Sequence, residues 1–169
     1  MILNFDSSKQ AFEVSRYAAM AVSLPDNRLL CRVLGRWKMY VNAFDESQMP
    51  DIAMDGISNP AATELICEYV KPGMTAVDVG ACFGYRSLLL SELVGETGRA
   101  FSFEPNPRSF HLLKRNIDIN GFKPRCAVYP LAIGAIDGIG NLTIHGSVPP
   151  PRRWQTRLNH RSAPKNPRP

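Results

Sequence analysis

From residue 75 onward, short apolar runs alternate with longer segments in which apolar residues recur at helical spacing. The runs predicted as strands are Thr75–Val79, Arg99–Phe103 and Arg125–Ile133, with a shorter fourth candidate at Asn141–His145. The segments predicted as helices are Tyr85–Val94 and Pro107–Asn120, the second followed by a helix-ending Gly121. Apolar strands that alternate with helices predict a parallel sheet covered by helices, which is an α/β fold.

The pattern before residue 75 is more varied. Apolar residues at helical spacing predict an N-terminal helix over Ser8–Val22. Two apolar runs on either side of Gly35 predict a β-hairpin over Leu29–Val41. Residues 42–59 are predicted as loop, and Pro60–Tyr69 as a helix with its proline in the first turn.

The length of 169 residues fits one domain. Within it we expect an N-terminal helix, hairpin and loop over residues 1–59 and a Rossmann-like half-domain over residues 60–146. Residues 147–169 hold six prolines, six basic residues and no acid, a composition that predicts a disordered tail. The rest of the chain has fourteen basic and fifteen acidic residues, so the net charge of +5 comes from the tail.

Several classes of protein are disfavoured by what the sequence lacks. No apolar run is long enough to span a bilayer, and the first ten residues do not have the pattern of a signal peptide. The four cysteines form no C-x-x-C pair, which argues against a zinc site or a disulfide framework and fits a cytoplasmic protein. We therefore expect no metal, no membrane span and no specific nucleic-acid partner.

The loop after the first predicted strand is the main candidate site. In an open α/β sheet, ligands bind beyond the carboxyl ends of the strands. Gly80 there permits a sharp turn and a close ligand, and Gly84 lets the next helix start tight against the strand. Asp78 precedes the loop, and Glu104 ends the second strand, where a carboxylate can accept both hydroxyls of a ribose. These four residues predict a nucleoside-type cofactor.

The spacing distinguishes between two such cofactors. A dinucleotide site requires G-x-G-x-x-G, whose middle glycine admits a pyrophosphate, whereas this loop reads G-x-x-x-G with Cys82 in between. The acid at position 78 would also repel phosphate. S-adenosylmethionine (SAM) has no phosphate and carries a sulfonium and an ammonium, so the loop favours SAM.

The central block KPGMTAVDVGACFGYRSLLLSELVGETGRAFSFEPNPRSFHLLKRNIDINGF resembles the FkbM-type SAM-dependent methyltransferases. The likeness extends over roughly residues 29–145. It implies a Rossmann-like SAM methyltransferase sheet and methyl transfer to a hydroxyl of a small molecule such as a sugar or polyketide. It also implies a cofactor loop from Asp78 to Tyr85, which includes Ala81, with Glu104 on the ribose and Asn106 near the adenine.

The base for such a hydroxyl acceptor stays open, because Asp55, Asp137 and His145 have no motif behind them. A full methyltransferase sheet of about seven strands is also not accounted for, and the change of character after Ser147 suggests a truncated or frameshifted gene. Two alternatives therefore stand beside the enzyme. One is a non-catalytic fragment that retains part of a SAM site, and the other is an anion or nucleic-acid binder acting through its basic tail. The oligomeric state is not indicated.

Overall fold

The computed structural model describes residues 19–45, 48–135, 139–141 and 155–157. Its strands are β1 (Met20–Leu24), β2 (Arg28–Val33), β3 (Trp37–Asn42), β4 (Thr75–Val79), β5 (Arg99–Phe103), β6 (Cys126–Tyr129), β7 (Ile139–Asn141) and β8 (Gln155–Arg157). Its helices are α1 (Met49–Asp55), α2 (Pro60–Tyr69), α3 (Tyr85–Leu93) and α4 (Pro107–Ile119). The α/β class predicted from the sequence is confirmed.

Strands β4, β5 and β6 form the parallel sheet, in that order. One face packs against the helices through the buried residues Asp78, Ala100, Ser102 and Cys126. The opposite face is open in the described part of the chain, where Val77 and Val79 are 57% and 55% exposed. Parallel sheets are normally covered on both faces, whereas the described residues leave apolar surface on this face of the sheet exposed.

The N-terminal strands form an antiparallel meander, β1-β2-β3. The hairpin predicted over Leu29–Val41 is confirmed as β2 and β3. The predicted helix over Ser8–Val22 lies outside the described residues as far as position 18, and its end is wrong, because Met20–Leu24 is strand β1. Asp26 and Asn27 adopt positive φ in the turn between β1 and β2. Aspartate and asparagine tolerate this left-handed conformation, so the turn can connect β1 and β2 as neighbouring antiparallel strands.

The segment predicted as loop over residues 42–59 contains helix α1. Pro50 and Gly56, which we interpreted as loop residues, mark the two ends of this helix instead. The proline occupies the first turn, and Gly56 adopts a left-handed conformation with φ of 66° at the C-terminus. A proline at the start and a glycine just past the end are a common signature of short helices.

Helix α4 joins the meander to the parallel sheet through two asparagines one turn apart. Asn116 and Asn120 pair their side-chain amides with the backbone of Tyr40 and Lys38 on β3. These side chains form hydrogen bonds with backbone N–H and C=O groups of β3 that would otherwise pair with a neighbouring strand. Trp37 adds an edge-to-face contact with Phe122, with ring centroids 5.9 Å apart.

The carboxyl-terminal part of the described structure differs from prediction in two places. The third strand ends at Tyr129 rather than Ile133, because Pro130 has no N–H to continue the ladder. The fourth candidate is displaced to Ile139–Asn141, which pairs with Gln155–Arg157. That short pair interrupts the predicted disordered tail, and the rest of residues 142–169 lies outside the described residues. The three-part division of the chain stays a prediction.

Candidate cofactor site

The loop between β4 and α3 lies across the carboxyl end of the parallel sheet. The amides of Gly80 and Ala81 both donate to the carbonyl of Phe103, at 2.9 and 3.0 Å. Gly80, Cys82 and Gly84 all have positive φ, at 74°, 51° and 93°. A left-handed run of this kind strongly favours glycine, which is why the sequence has glycine at both ends of the loop.

Glu104 holds this loop from the end of β5. Its side chain is only 7% exposed. One carboxylate oxygen accepts the amide of Cys82 at 2.8 Å, and the other accepts the amide of Asn106 at 2.7 Å. The side chain of Asn106 caps α4 by accepting the amide of Arg108 at 3.0 Å. Each oxygen of Glu104 thus keeps a further lone pair for a ligand hydroxyl.

Asp78 is the second acid of the site and is buried, with 5% exposure. The hydroxyl of Ser87 on α3 donates to one of its oxygens at 2.6 Å. Burial raises the pKa of Asp78 above its ordinary value, although the Ser87 hydrogen bond and the nearby charge of Arg86 oppose that shift. A cation brought beside Asp78 would offset the cost of burying this carboxylate.

Tyr85 starts α3 and is also buried. Its hydroxyl lies 3.2 Å from that of Thr63 on α2, and burial raises its pKa to about 12. Cys82 is similar, because burial and the nearby charges of Asp45 and Glu104 raise the pKa of its thiol to about 12. Both groups therefore stay protonated at neutral pH and are unsuited to act as base or nucleophile.

A small cleft, open to solvent, lies beside the loop. Its lining residues are Gln48, Ser58, Asp78, Gly80, Ala81, Tyr85 and Arg86. Four of the predicted site residues thus meet in one cleft, while Glu104 and Asn106 lie at the end of β5. Gly84 has a packing role, because a Cβ placed on it would lie 2.6 Å from Cδ1 of Leu113.

Sequence reasoning missed Ser58, Arg86, Gln48 and Ser87. Ser58 and Gln48 come from the segment predicted as loop, and the fold brings them to the cleft over a long sequence separation. Ser87 is a polar residue on the buried side of α3, where its hydroxyl is bound to Asp78. No spacing rule connects these residues to the glycine loop.

The arrangement fits SAM. A Cβ placed on Gly80 would meet no atom within 4 Å, so a ligand can lie directly against this backbone. Two buried carboxylates flank the loop, one in the cleft and one at the end of β5, which suits a ligand that is cationic at one end and carries ribose hydroxyls. Among the described residues, no three His, Cys, Asp or Glu side chains are placed to hold a metal ion.

Replacing Asp78 with asparagine is expected to stabilise the fold at neutral pH while weakening SAM binding. Since the folded pKa is raised, the contribution of Asp78 to stability is full below the unfolded value of about 3.9 and is lost as the pH rises through the folded pKa. The gain from Asp78→Asn should therefore be present at pH 7.5 and shrink towards pH 4. Thermal unfolding at both pH values measures it.

Asp118→Asn is the matched control, because Asp118 is exposed at the end of α4. It should change the melting temperature little at either pH. A loss of stability in Asp78→Asn at pH 7.5 would show that the buried charge stabilises the ligand-free fold, contrary to this interpretation.

The fold and the site together define the class of SAM-dependent methyltransferases. Residues 35–140, more than half of the chain, match the model of the family described as protein-L-isoaspartate(D-aspartate) O-methyltransferase. The chain belongs to this family. SAM, the cofactor expected from the sequence, is thereby confirmed.

Curated relatives agree with the family. A protein-L-isoaspartate O-methyltransferase of Methanococcoides burtonii is 26% identical over 125 residues, which is 69% of this chain and 62% of the relative. One of Aeropyrum pernix is 30% identical over 129 residues, or 75% of this chain and 45% of the relative. A solved protein-L-isoaspartate O-methyltransferase is 23% identical over 73% of this chain and 37% of its own, with a TM-score of 0.43. The chain thus spans less than two thirds of the length of these relatives.

The resemblance to the FkbM-type family was wrong, since the family model and the curated relatives identify a different methyltransferase family. The expectation of a small-molecule hydroxyl acceptor rested on that resemblance and is withdrawn with it. The resemblance rested on the loop and on Glu104, which were interpreted as cofactor residues, and a cofactor pattern does not depend on the acceptor. In the described part of the chain, no helix is both long and apolar enough to cross a membrane.

Proposed function

We propose that this chain transfers a methyl group from SAM to the carboxylate of an isoaspartyl residue in a protein or peptide. The observation that carries the proposal is the family match, which spans the glycine loop, both acids and the cleft residues Ser58 and Arg86. The relatives' shared name, protein-L-isoaspartate O-methyltransferase, supplies the acceptor.

The proposed SAM site consists of the residues predicted from the sequence, with distinct roles: Asp78, Gly80, Ala81, Gly84, Tyr85, Glu104 and Asn106. Asp78 balances the positive charge of the cofactor, and Gly80 and Ala81 give it a backbone surface to lie on. Glu104 accepts the ribose hydroxyls. The remaining three act indirectly, because they pack the loop against α4 and α2 or fix Glu104 through the backbone.

A carboxylate acceptor changes the chemistry expected of the site. SAM, when bound, supplies an electrophilic methyl group on a sulfonium. Transfer of this methyl group to a carboxylate oxygen would replace the C–S bond with a C–O bond and would yield a methyl ester and the neutral thioether S-adenosylhomocysteine. Carboxylic acids with a pKa near 4 are ionised at neutral pH, so the acceptor needs no base. The chain's contribution is to align the two reactants and to exclude water.

With the cationic cofactor beside Asp78, the cleft is suited to an anionic peptide group. Arg86 brings a cation to its wall, and Ser58 and Gln48 add hydrogen-bonding side chains beside Asp78. The single hydrogen of the Thr63 hydroxyl is shared between the carbonyls of Ser58 and Asn59, at 3.0 and 3.1 Å, and this contact helps to fix the backbone that presents Ser58. We assign the acceptor side of the site to Ser58, Gln48 and Arg86.

The test is transfer of labelled methyl from SAM to a short peptide that contains one L-isoaspartyl residue. We expect a base-labile methyl ester on this peptide and none on the same peptide with a normal L-aspartyl residue. Glu104→Ala, which removes the proposed ribose acceptor, should abolish the signal. Equal labelling of both peptides would overturn the acceptor assignment. SAM binding without labelling of either would instead support a non-catalytic SAM-binding chain.

A further inference from the structure

We propose that Asn116 is a positioning residue that anchors the cofactor loop to strand β3. This inference rests on the SAM site proposed above. It concerns a side chain that lies outside that site, on the inner face of α4. The geometry points to a connection between the N-terminal meander and the loop that binds the cofactor.

The Asn116 side chain is fully buried and uses its whole amide. Its Oδ1 accepts the amide of Tyr40 at 2.7 Å. Its Nδ2 donates to the carbonyl of Tyr40 at 2.9 Å and to the carbonyl of Phe83 at 2.8 Å. Both amide hydrogens are therefore committed, one to β3 and one to the loop.

The bond to Phe83 ties the loop to α4. The other backbone bonds that tie residues 80–83 to the sheet go to the end of β5, to the carbonyl of Phe103 and the carboxylate of Glu104. Cys82 has a φ of 51°, a conformation that a residue with a side chain adopts only when its surroundings impose it. Asn116 supplies that constraint from the helix side.

Asn120 provides a matched comparison in the same molecule. It lies one turn further along, accepts the amide of Lys38 at 3.1 Å and donates to the carbonyl of Lys38 at 2.7 Å. Its remaining amide hydrogen goes to the carbonyl of Asn116 at 2.8 Å rather than to the loop. The two asparagines thus bind the same strand in the same way, and they differ in burial, since Asn116 is fully buried and Asn120 partly exposed, and in the contact with Phe83.

The experiment compares N116D with N120D. Each substitution keeps an acceptor for the strand amide and removes the amide donor. N116D loses both Nδ2 bonds, to Tyr40 and to Phe83. We expect it to weaken binding of S-adenosylhomocysteine by about tenfold, the effect of losing the one buried hydrogen bond that reaches the loop. It should also speed hydrogen exchange at the amides of Cys82 and Gly84 in the ligand-free protein. N120D should change the affinity by less than about twofold.

Equal weakening by both substitutions, or unchanged exchange at Cys82 and Gly84 in N116D, would show that Asn116 only holds the meander in place. The exchange measurement needs no ligand, so it remains decisive even if the chain fails to bind SAM. If N116D does not fold, the wild-type protein gives the test. S-adenosylhomocysteine should then slow exchange of the Tyr40 amide and leave that of Lys38 unchanged, and equal slowing of both would overturn the proposal.

Discussion

Replacing Glu104 with alanine is expected to weaken SAM binding by at least about 100-fold, because hydrogen bonds to a charged acceptor contribute about 1.5–3 kcal/mol each and the ribose offers two hydroxyls. The loss should be larger than the bonds to the ligand alone account for. Glu104 also holds the amides of Cys82 and Asn106, so its removal loosens the loop. Titration calorimetry with SAM measures the change.

Glu104→Gln removes the negative charge of the side chain and keeps its size, so it tests whether SAM binding depends on the charge. Both carboxylate oxygens accept backbone N–H groups, so the NH₂ of a glutamine must face one of these donors. The glutamine variant should therefore bind SAM nearly as poorly as the alanine variant. Glu96→Ala, at an exposed turn residue, is the control and should bind as the wild type does. Wild-type affinity in Glu104→Gln would contradict the proposed role of the carboxylate.

Replacing Gly84 with alanine is expected to destabilise the fold by about 3 kcal/mol, as the sum of two effects. Its φ of 93° is unfavourable for any residue with a Cβ, and that Cβ would lie 2.6 Å from Cδ1 of the buried Leu113. Moving Leu113 would disturb the contact between α3 and α4. Equilibrium unfolding in denaturant measures the free energy of unfolding.

Gly121→Ala is the matched control for the backbone effect. Gly121 has a φ of 76°, and a Cβ placed on it would meet no atom within 4 Å. This substitution should therefore cost only the backbone penalty of about 1–2 kcal/mol. Equal decreases in the free energy of unfolding at the two positions would mean that the Leu113 side chain moves aside at little cost. The close packing of the loop against α4 would then contribute little to stability.

The parts of the fold that the sequence predicts well are those set by local chemistry. The strands β4 and β5, the helices α2, α3 and α4 and the helix-ending Gly121 follow from periodicity and from residues with special backbone preferences. The same chemistry misled us at α1, because proline and glycine mark a short helix as readily as a loop. Strand β1 was missed because its residues also fit a helical spacing.

SAM was predictable from the sequence for a physical reason, and the residues assigned to its site stay a prediction. A ligand that must approach the backbone closely requires glycine at Gly80, and a ribose requires an acceptor at the end of the next strand, where Glu104 lies. These requirements appear as a spacing in the chain. They define a class of methyltransferase but not a family, which is why the resemblance to the FkbM-type proteins was wrong.

The residues that we propose for the acceptor side could not be predicted in this way. Ser58 and Arg86 reach the cleft through packing between α2 and α3, and Asn116 reaches the loop across 33 positions of sequence. Each is an ordinary polar residue in its local context. Their functional meaning depends on tertiary distances that no local pattern encodes.

The central claim is that SAM lies across the loop between Asp78 and Glu104, and a crystal structure with S-adenosylhomocysteine tests it most directly. We expect both ribose hydroxyls within about 3 Å of the Glu104 carboxylate, the usual hydrogen-bond distance. The ligand's amino group should lie on the Asp78 side, with its backbone contact at Gly80. A ligand bound elsewhere, or one whose ribose does not contact Glu104, would contradict the account.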